Sequence, residues 1–441
     1  MPDATTNLYA ERRRRFMQQM EGGAALIPGA ATRIRSRDTD YRYRPDSDLV
    51  YLTGFREPGS ALLLLPNHPE HRTVMFVQPK DPAAETWNGR RLGAEAAPAT
   101  LGVDAAYSID DLEAVLRKYL TGTERLYYGF GTHQDMDRLV LELLPKLGSR
   151  NVEPPSQLVD PGTILHEMRL RKDETEIALM RKAAAITAEG YAEAIAAIRP
   201  GAGEWEVQAA LEYAYRRLGG EGSAYNAIVA SGDNATILHY TENDRVMHAG
   251  ELLLIDSGAE YKYYACDVTR TYPVSGKFTD AQRAVYDLVL RANQEAITYV
   301  RPGEHVKRYH LHAVEVLTEG MVKLGLLKGD VKTLIEQEAY RRFYMHGTGH
   351  YLGLDTHDVG RYKLKGAWRA LEPGMVVTVE PGLYVAAGAT DVDPAFWGIG
   401  VRIEDDVLVT SGGNEVLTAA IPKASDELET LLQKRAAVAR V

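Results

Sequence analysis

One pattern limits what this chain can fold into more than any other. A helical stretch, the word Arg-Pro-Gly, a second helical stretch and a strand-rich segment occur from Asp173 and again from Thr279. Pro cannot continue a helix, so Arg199-Pro200-Gly201 and Arg301-Pro302-Gly303 stop the first helix of each copy. Gly250-Glu251-Leu252-Leu253-Leu254-Ile255-Asp256-Ser257-Gly258 then matches Gly374-Met375-Val376-Val377-Thr378-Val379-Glu380-Pro381-Gly382: a Gly, a five-residue spacer, an acid, any residue, a Gly. A second acid follows in each copy, Asp267 and Glu404, each leading into a strand that ends in Ser-Gly. Any one such match is a chance recurrence of common strand and turn words. Four in the same order read as a duplicated α/β half, and a pseudo-two-fold axis would bring two pairs of acids to one centre.

Those acids sit where carboxylates are seldom found. Asp256 closes an apolar strand, Glu380 follows Val376-Val377-Thr378-Val379, and Glu404 lies in Ile399-Gly400-Val401-Arg402-Ile403-Glu404. A buried carboxylate needs a partner or a metal. Arg402 could neutralise one, but four formal negative charges match two divalent cations. Two cations about 3.5–4 Å apart can share carboxylates and lower the pKa of a water to near 7. An imidazole ligand is expected from His346, His350 or His357, three histidines interleaved with Gly347, Gly349 and Gly353. His239, in Thr236-Ile237-Leu238-His239-Tyr240, reads as a strand-borne histidine of the other half.

Ahead of the duplication stands a different unit. Leu49-Val50-Tyr51-Leu52, residues 61–65 and residues 74–77 read as strands, and residues 110–120 and 134–147 as helices. The Pro- and Gly-rich stretch between Asn151 and Gly162 places a boundary near 160, giving domains 1–160 and 161–441. Arg12-Arg13-Arg14-Arg15 reads as one solvated face of a first helix. With 51 basic against 61 acidic residues and a net charge of −10, no broad basic surface is available for nucleic acid. The single cysteine, Cys266, excludes an internal disulfide framework and points to a reducing compartment. No apolar run approaches the roughly 20 residues of a membrane span, and no signal segment opens the chain. A soluble, cytoplasmic α/β (α+β) protein is expected. A G-x-S-x-G elbow, a P-loop and an H-E-x-x-H word are all absent.

Taken together, Leu254-Ile255-Asp256-Ser257-Gly258, Asp267-Val268-Thr269-Arg270-Thr271, His346-Gly347-Thr348-Gly349-His350, Val379-Glu380-Pro381-Gly382 and Gly400-Val401-Arg402-Ile403-Glu404-Asp405-Asp406 make the second domain resemble aminopeptidase P (Xaa-Pro aminopeptidase). That family is a pita-bread metallopeptidase group related to prolidase and methionine aminopeptidase. Asp38-Thr39-Asp40-Tyr41, Tyr51-Leu52-Thr53-Gly54-Phe55 and Trp87-Asn88-Gly89-Arg90-Arg91 add a likeness to its N-terminal domain.

The resemblance implies a dinuclear site, most often filled by manganese, with Asp256, Asp267, His350, Glu380 and Glu404 as ligands. Asp267 and Glu404 would bridge the two ions, and Glu380 would also take a proton from the attacking water. His239, His346 and His357 would polarise the scissile carbonyl and shape a proline pocket, while Arg402 would orient carboxylates. Tyr384, Asp38 and Trp87 would face substrate, Trp87 in a neighbouring subunit's site, since the first domain often mediates homo-oligomers. The implied reaction is release of the N-terminal residue from peptides with proline second, by attack of a metal-bridging hydroxide. Two alternatives stay open: a prolidase acting on X-Pro dipeptides, and a metal-free pita-bread hydrolase or binding module.

Overall fold

A computed structural model describes residues 4–438. The chain divides into two compact units, the first ending at Arg169 and the second beginning at Leu170. The seam falls before the last residue of the helix Gly162–Leu170, whereas the Pro- and Gly-rich stretch precedes that helix. Within the first unit, Asp48 holds that helix through Arg169 at 2.6 Å and His166 at 3.3 Å.

The first unit is a six-stranded mixed sheet flanked by helices. Its strand order is Ala105–Ser108, Thr73–Val77, Ala61–Leu64, Ala24–Pro28, Arg125–Tyr127, Gln157–Val159. The strands expected at 61–65 and 74–77 are present, but residues 49–52 belong to a helix, Ser47–Thr53. Four apolar residues in a row carry no period, so capping decides. Asp46 Oδ1 accepts from the N–H groups of Asp48 and Leu49 at 2.9 and 3.1 Å. Gly54, at φ 67°, closes the other end in the left-handed conformation.

The arginine run also departs from expectation. Arg14 and Arg15 are exposed, but Arg12 and Arg13 are only 3% and 1% exposed. Arg13 donates to the carbonyls of Leu52 at 2.9 Å and Leu101 at 3.2 Å, the last residues but one and last of two helices. Helix C-termini leave carbonyls without intrahelical partners, and a guanidinium satisfies several at once. Burial pulls the Arg13 pKa down to about 10, against the pull of Asp104.

The second unit carries the duplication. Each half opens with a helix pair: Glu174–Ala197 with Glu204–Arg217, and Asp280–Ile297 with Arg308–Lys323. Capping boxes start the leading helices, Asp173 with Glu176 and Thr279 with Gln282. Ile177, Met180, Ala184 and Ile186 are all buried, as their helical spacing predicts. Each half then forms an antiparallel strand pair. Leu252–Asp256 lies against Thr269–Pro273 with Asp256 opposite Thr269, and Val376–Val379 lies against Asp405–Thr410 with Val379 opposite Asp405. In both pairs the first acid stands at the end of the first strand, Asp256 as its last residue and Glu380 just after it, and the second acid precedes the second strand.

A buried ion pair braces the loop beyond the histidine-rich word. Lys172 Nζ lies 2.9 Å from Asp358 Oδ2, both side chains 1% exposed, and Asp358 N–H donates to Tyr351 O. Lys172→Met leaves a buried carboxylate without its cation and is expected to cost about 3–5 kcal/mol. Denaturant unfolding measures this, and a loss under about 1 kcal/mol would show that the pair contributes nothing net.

Candidate metal centre

The strand ends deliver the acids. Asp256 is the last residue of its strand, Glu380 follows Val376–Val379, and Glu404 occupies the break between the strands Ile399–Arg402 and Asp405–Thr410. The segment 348–350 runs beside Val376–Val379: Thr378 N–H donates to His350 O, Glu380 N–H donates to Thr348 O, and His350 N–H donates to Thr378 Oγ1. This close approach explains Gly349, where an added Cβ would stand 1.9 Å from Thr378 O. Gly258 is needed for the same reason, 1.7 Å from Cys266 O.

Asp256, Asp267, His350, Glu380 and Glu404 converge on one cavity of about 850 Å³. Asp267, His350 and Glu404 each offer a ligand atom, all within 4.8 Å of one another. His350 Nδ1 lies 3.0 Å from Tyr351 O, so that nitrogen carries the proton and donates. Its Nε2 then faces Asp267 Oδ2 at 3.4 Å and Glu380 Oε1 at 3.7 Å. In the metal-free chain a proton on Nε2 satisfies this arrangement, and a divalent cation among the three atoms would take the proton's place.

The electrostatics favour positive charge at the same place. Burial first, then the neighbouring carboxylates, raises the pKa of Glu404 and of Glu380, the latter to about 7. Burial likewise raises Asp256, although Arg402 opposes it. His350 is disfavoured as a cation by burial, but Asp267 outweighs that and lifts it to about 9. The folded site thus attracts positive charge, and its donors, four carboxylates and one imidazole, suit hard-to-borderline divalent cations. The residues present fit the dinuclear site that the resemblance implies.

A polar chain leads away from Asp256. Arg402 donates from Nη2 to Asp256 Oδ2 at 2.6 Å and from Nη1 to Tyr384 Oη at 3.0 Å. The Tyr384 hydroxyl is then left to donate to His346 Nε2 at 2.8 Å, and His346 Nδ1 donates to Gly347 O at 2.7 Å. Burial, followed by the Arg402 charge, lowers the His346 pKa to about 3, so its ring is neutral. His357 stands edge-on to His350 with ring centroids 4.3 Å apart, and His239 also lines the cavity. His239 is in a loop after the turn Gly232–Thr236, not in a strand. The β-branched residues around it suggested a strand, but the turn ends the pairing before it. Asp38 and Trp87 lie in the first unit, both exposed, Trp87 to 86%.

Two partners of the acids escaped the sequence reading. Tyr225 places its hydroxyl 2.6 Å from both Asp256 Oδ1 and Asp267 Oδ1. Nothing in Ala224-Tyr225-Asn226 distinguishes it among 25 tyrosines. Thr269 donates to Glu404 Oε2 at 2.6 Å. The two-residue period that puts 267 and 269 on one strand face could have flagged it. Cys266, on the opposite face, is buried in the apolar core.

A sequence model of Metallopeptidase family M24 matches residues 178–411, and one of "Aminopeptidase P, N-terminal domain" matches residues 9–127. The Xaa-Pro aminopeptidase of Haemophilus influenzae is 47% identical over 425 residues, covering 96% of each chain. Among solved structures, Pseudomonas aeruginosa aminopeptidase PepP superposes with a TM-score of 0.96 at 44% identity, over 99% of this chain and 100% of that one. Zinc-substituted Escherichia coli aminopeptidase P in complex with product gives a TM-score of 0.95 at 44% identity, over 99% of both chains. The second unit therefore has the pita-bread fold, and its acids lie where the two halves meet. On these matches the chain belongs to metallopeptidase family M24, within its aminopeptidase P branch, and is a metal-dependent hydrolase.

Proposed function

We propose that this protein releases the N-terminal residue from peptides whose second residue is proline. The observation that carries the reading is the convergence of Asp256, Asp267, His350, Glu380 and Glu404 on one cavity. These five side chains would hold two divalent cations, with Asp267 and Glu404 shared between them; the carboxylate-rich donor set favours manganese. Bound there, such cations supply Lewis acidity for the scissile carbonyl and lower the pKa of an attacking water.

The chain's own residues do the rest. Glu380 accepts the proton of the attacking water and returns it to the departing prolyl nitrogen. Arg402, tied to Asp256 and Tyr384, holds Asp256 in one orientation. His346, His239 and His357 line the cavity, where they would polarise the scissile carbonyl and shape a pocket for the proline ring. An X-Pro amide has no N–H, so a site that grips the amine and carbonyl instead loses nothing by its absence.

The protein is further proposed to be cytoplasmic and homo-oligomeric, and to use Mn²⁺. The free, buried Cys266 suits a reducing compartment. Among the described residues, no helix is long and apolar enough to cross a membrane. The exposed Trp87 and Asp38 support contact through the first unit, with Trp87 reaching a neighbour's substrate.

An X-Pro-X tripeptide and the matching X-Pro dipeptide, assayed side by side with added Mn²⁺, test the specificity. The tripeptide is expected to show at least about 10-fold higher kcat/KM. Hydrolysis of the dipeptide alone would make the protein a prolidase. A dialysed protein that binds no metal yet stays folded would favour the metal-free alternative.

A further inference from the structure

Behind the acids lies a buried polar network that neither the motifs nor the proposed reaction uses. Asn293, fully buried on the helix Asp280–Ile297, donates from Nδ2 to Val379 O at 2.9 Å and to Ile403 O at 3.3 Å. Its Oδ1 accepts from Lys423 Nζ at 2.7 Å. An ammonium can only donate, so the amide orientation is unambiguous. Lys423 Nζ also pairs with Asp405 Oδ2. Asp405 is fully buried and receives Arg270 Nη2 at 2.8 Å, and Arg270 donates to the backbone oxygen of Glu404 and to Ile421 O at 2.9 Å.

The two carbonyls that Asn293 joins are particular ones. Val379 immediately precedes Glu380, and Ile403 immediately precedes Glu404. The ladder between Val376–Val379 and Asp405–Thr410 ends at the pair Val379 and Asp405. Pairing of the same two segments resumes at Gly382 with Arg402, and in the interruption between the two ladders, where both glutamates stand, Ile403 N–H donates to Pro381 O at 3.3 Å. One amide bridges them there, and the loop leading into the helix Ser425–Val438 holds that amide in place through Lys423. Burying an amide and an ammonium is costly without partners, and here both donor contacts of Asn293 fall on the residues just before the two glutamates, while Lys423 pairs with Asp405 just after Glu404.

We propose that Asn293 and Lys423 are positioning residues for the metal centre, setting the backbones from which Glu380 and Glu404 project. The segment 421–423 thereby governs divalent-cation affinity without touching the cations. The inference rests on the metal-site reading above.

Calorimetric titration of the full chain with Mn²⁺, alongside kcat, KM and thermal unfolding, tests it. Asn293→Leu and Lys423→Met are each expected to weaken Mn²⁺ affinity about 10–100-fold, the range seen when groups supporting metal ligands are removed. They should lower kcat with KM changed less than about two-fold. Lys423→Arg should restore most of the affinity. Folded variants with wild-type Mn²⁺ affinity and kcat, even with lowered melting temperature, would overturn the proposal. If Asn293→Leu does not fold, the partly exposed Lys423 pair of variants decides. A wild-type chain that binds no Mn²⁺ would overturn the metal-site reading itself, and this proposal with it.

Discussion

Glu380→Ala is expected to cut turnover at least about 100-fold, to the edge of detection, while leaving the protein folded. The kinetic effect is large because one carboxylate is proposed to serve both as ligand and as proton acceptor; even changes to groups that merely support metal ligands cost 10–100-fold. The stability effect is expected to have the opposite sign from most buried deletions. In the folded, metal-free chain the Glu380 carboxylate is disfavoured by burial and by Asp267 and Asp256, against the pull of His350 and Arg402. Its carboxylate contacts are loose, 3.4 Å to Thr378 and 3.7 Å to each of His350 and His346. Removing it relieves repulsion, so the metal-free variant should melt no lower than the metal-free wild type. Steady-state kinetics and calorimetry check both halves of this expectation. Near-normal turnover in a folded Glu380→Ala variant would end the proposed mechanism.

Chelation should have the second-largest effect. Stripping divalent cations is expected to abolish activity reversibly and to lower stability; a ligand present at 1,000 times its Kd stabilises by about 4 kcal/mol. The loss should depend on pH, and its sign follows from the shifted groups of the metal-free site. Glu380 is raised from 4.5 to about 7, and His350 from 6.5 to about 9. In each case the folded state holds protons more tightly than the unfolded state. The associated stability is therefore fully present below the unfolded values and lost as pH rises through the folded ones. Glu404 and Asp256 shift in the same direction, whereas Asp267, held down by His350 against burial, and His346 and His357, lowered first by burial, shift the other way. Below about pH 6.5 the lowered histidines oppose this trend, so metal-free protein should lose stability chiefly between about pH 6.5 and 9, while the gain from added cation grows over the same range because fewer protons compete for the ligands. Thermal unfolding at pH 5, 7 and 8.5, with and without chelator, measures this. A metal-free form that becomes more stable toward pH 8.5 would contradict the reading.

The acids were legible because their chemistry is at odds with their surroundings. Asp256 and Glu380 end strongly apolar strands, Glu404 interrupts one, and the spacing recurs in two halves. Water-loving groups in such places need a cation wherever the halves dock. The long helices were legible for a similar reason, since capping residues and apolar period agree over many positions. The residues misread lacked such local agreement. Leu49-Val50-Tyr51-Leu52 has no period, so Asp46 and Gly54 at its ends made it a helix. Whether Arg13 is solvated or buried depends on carbonyls 39 and 88 residues away.

The sequence by itself determined a duplicated α/β half, the stops between its helices, and four acids at apolar strand ends with a histidine-rich loop. Each of these is written in contiguous words whose chemistry is local. Only the tertiary structure decided that Tyr225 stands between Asp256 and Asp267, that Arg402 reaches Asp256 rather than a nearer acid, and that Asn293 joins the backbones behind Glu380 and Glu404. Hydrogen bonds of about 3 Å between residues scores of positions apart depend on how strands register and helices dock. That information lies in the packing of the whole chain and in no single stretch of it.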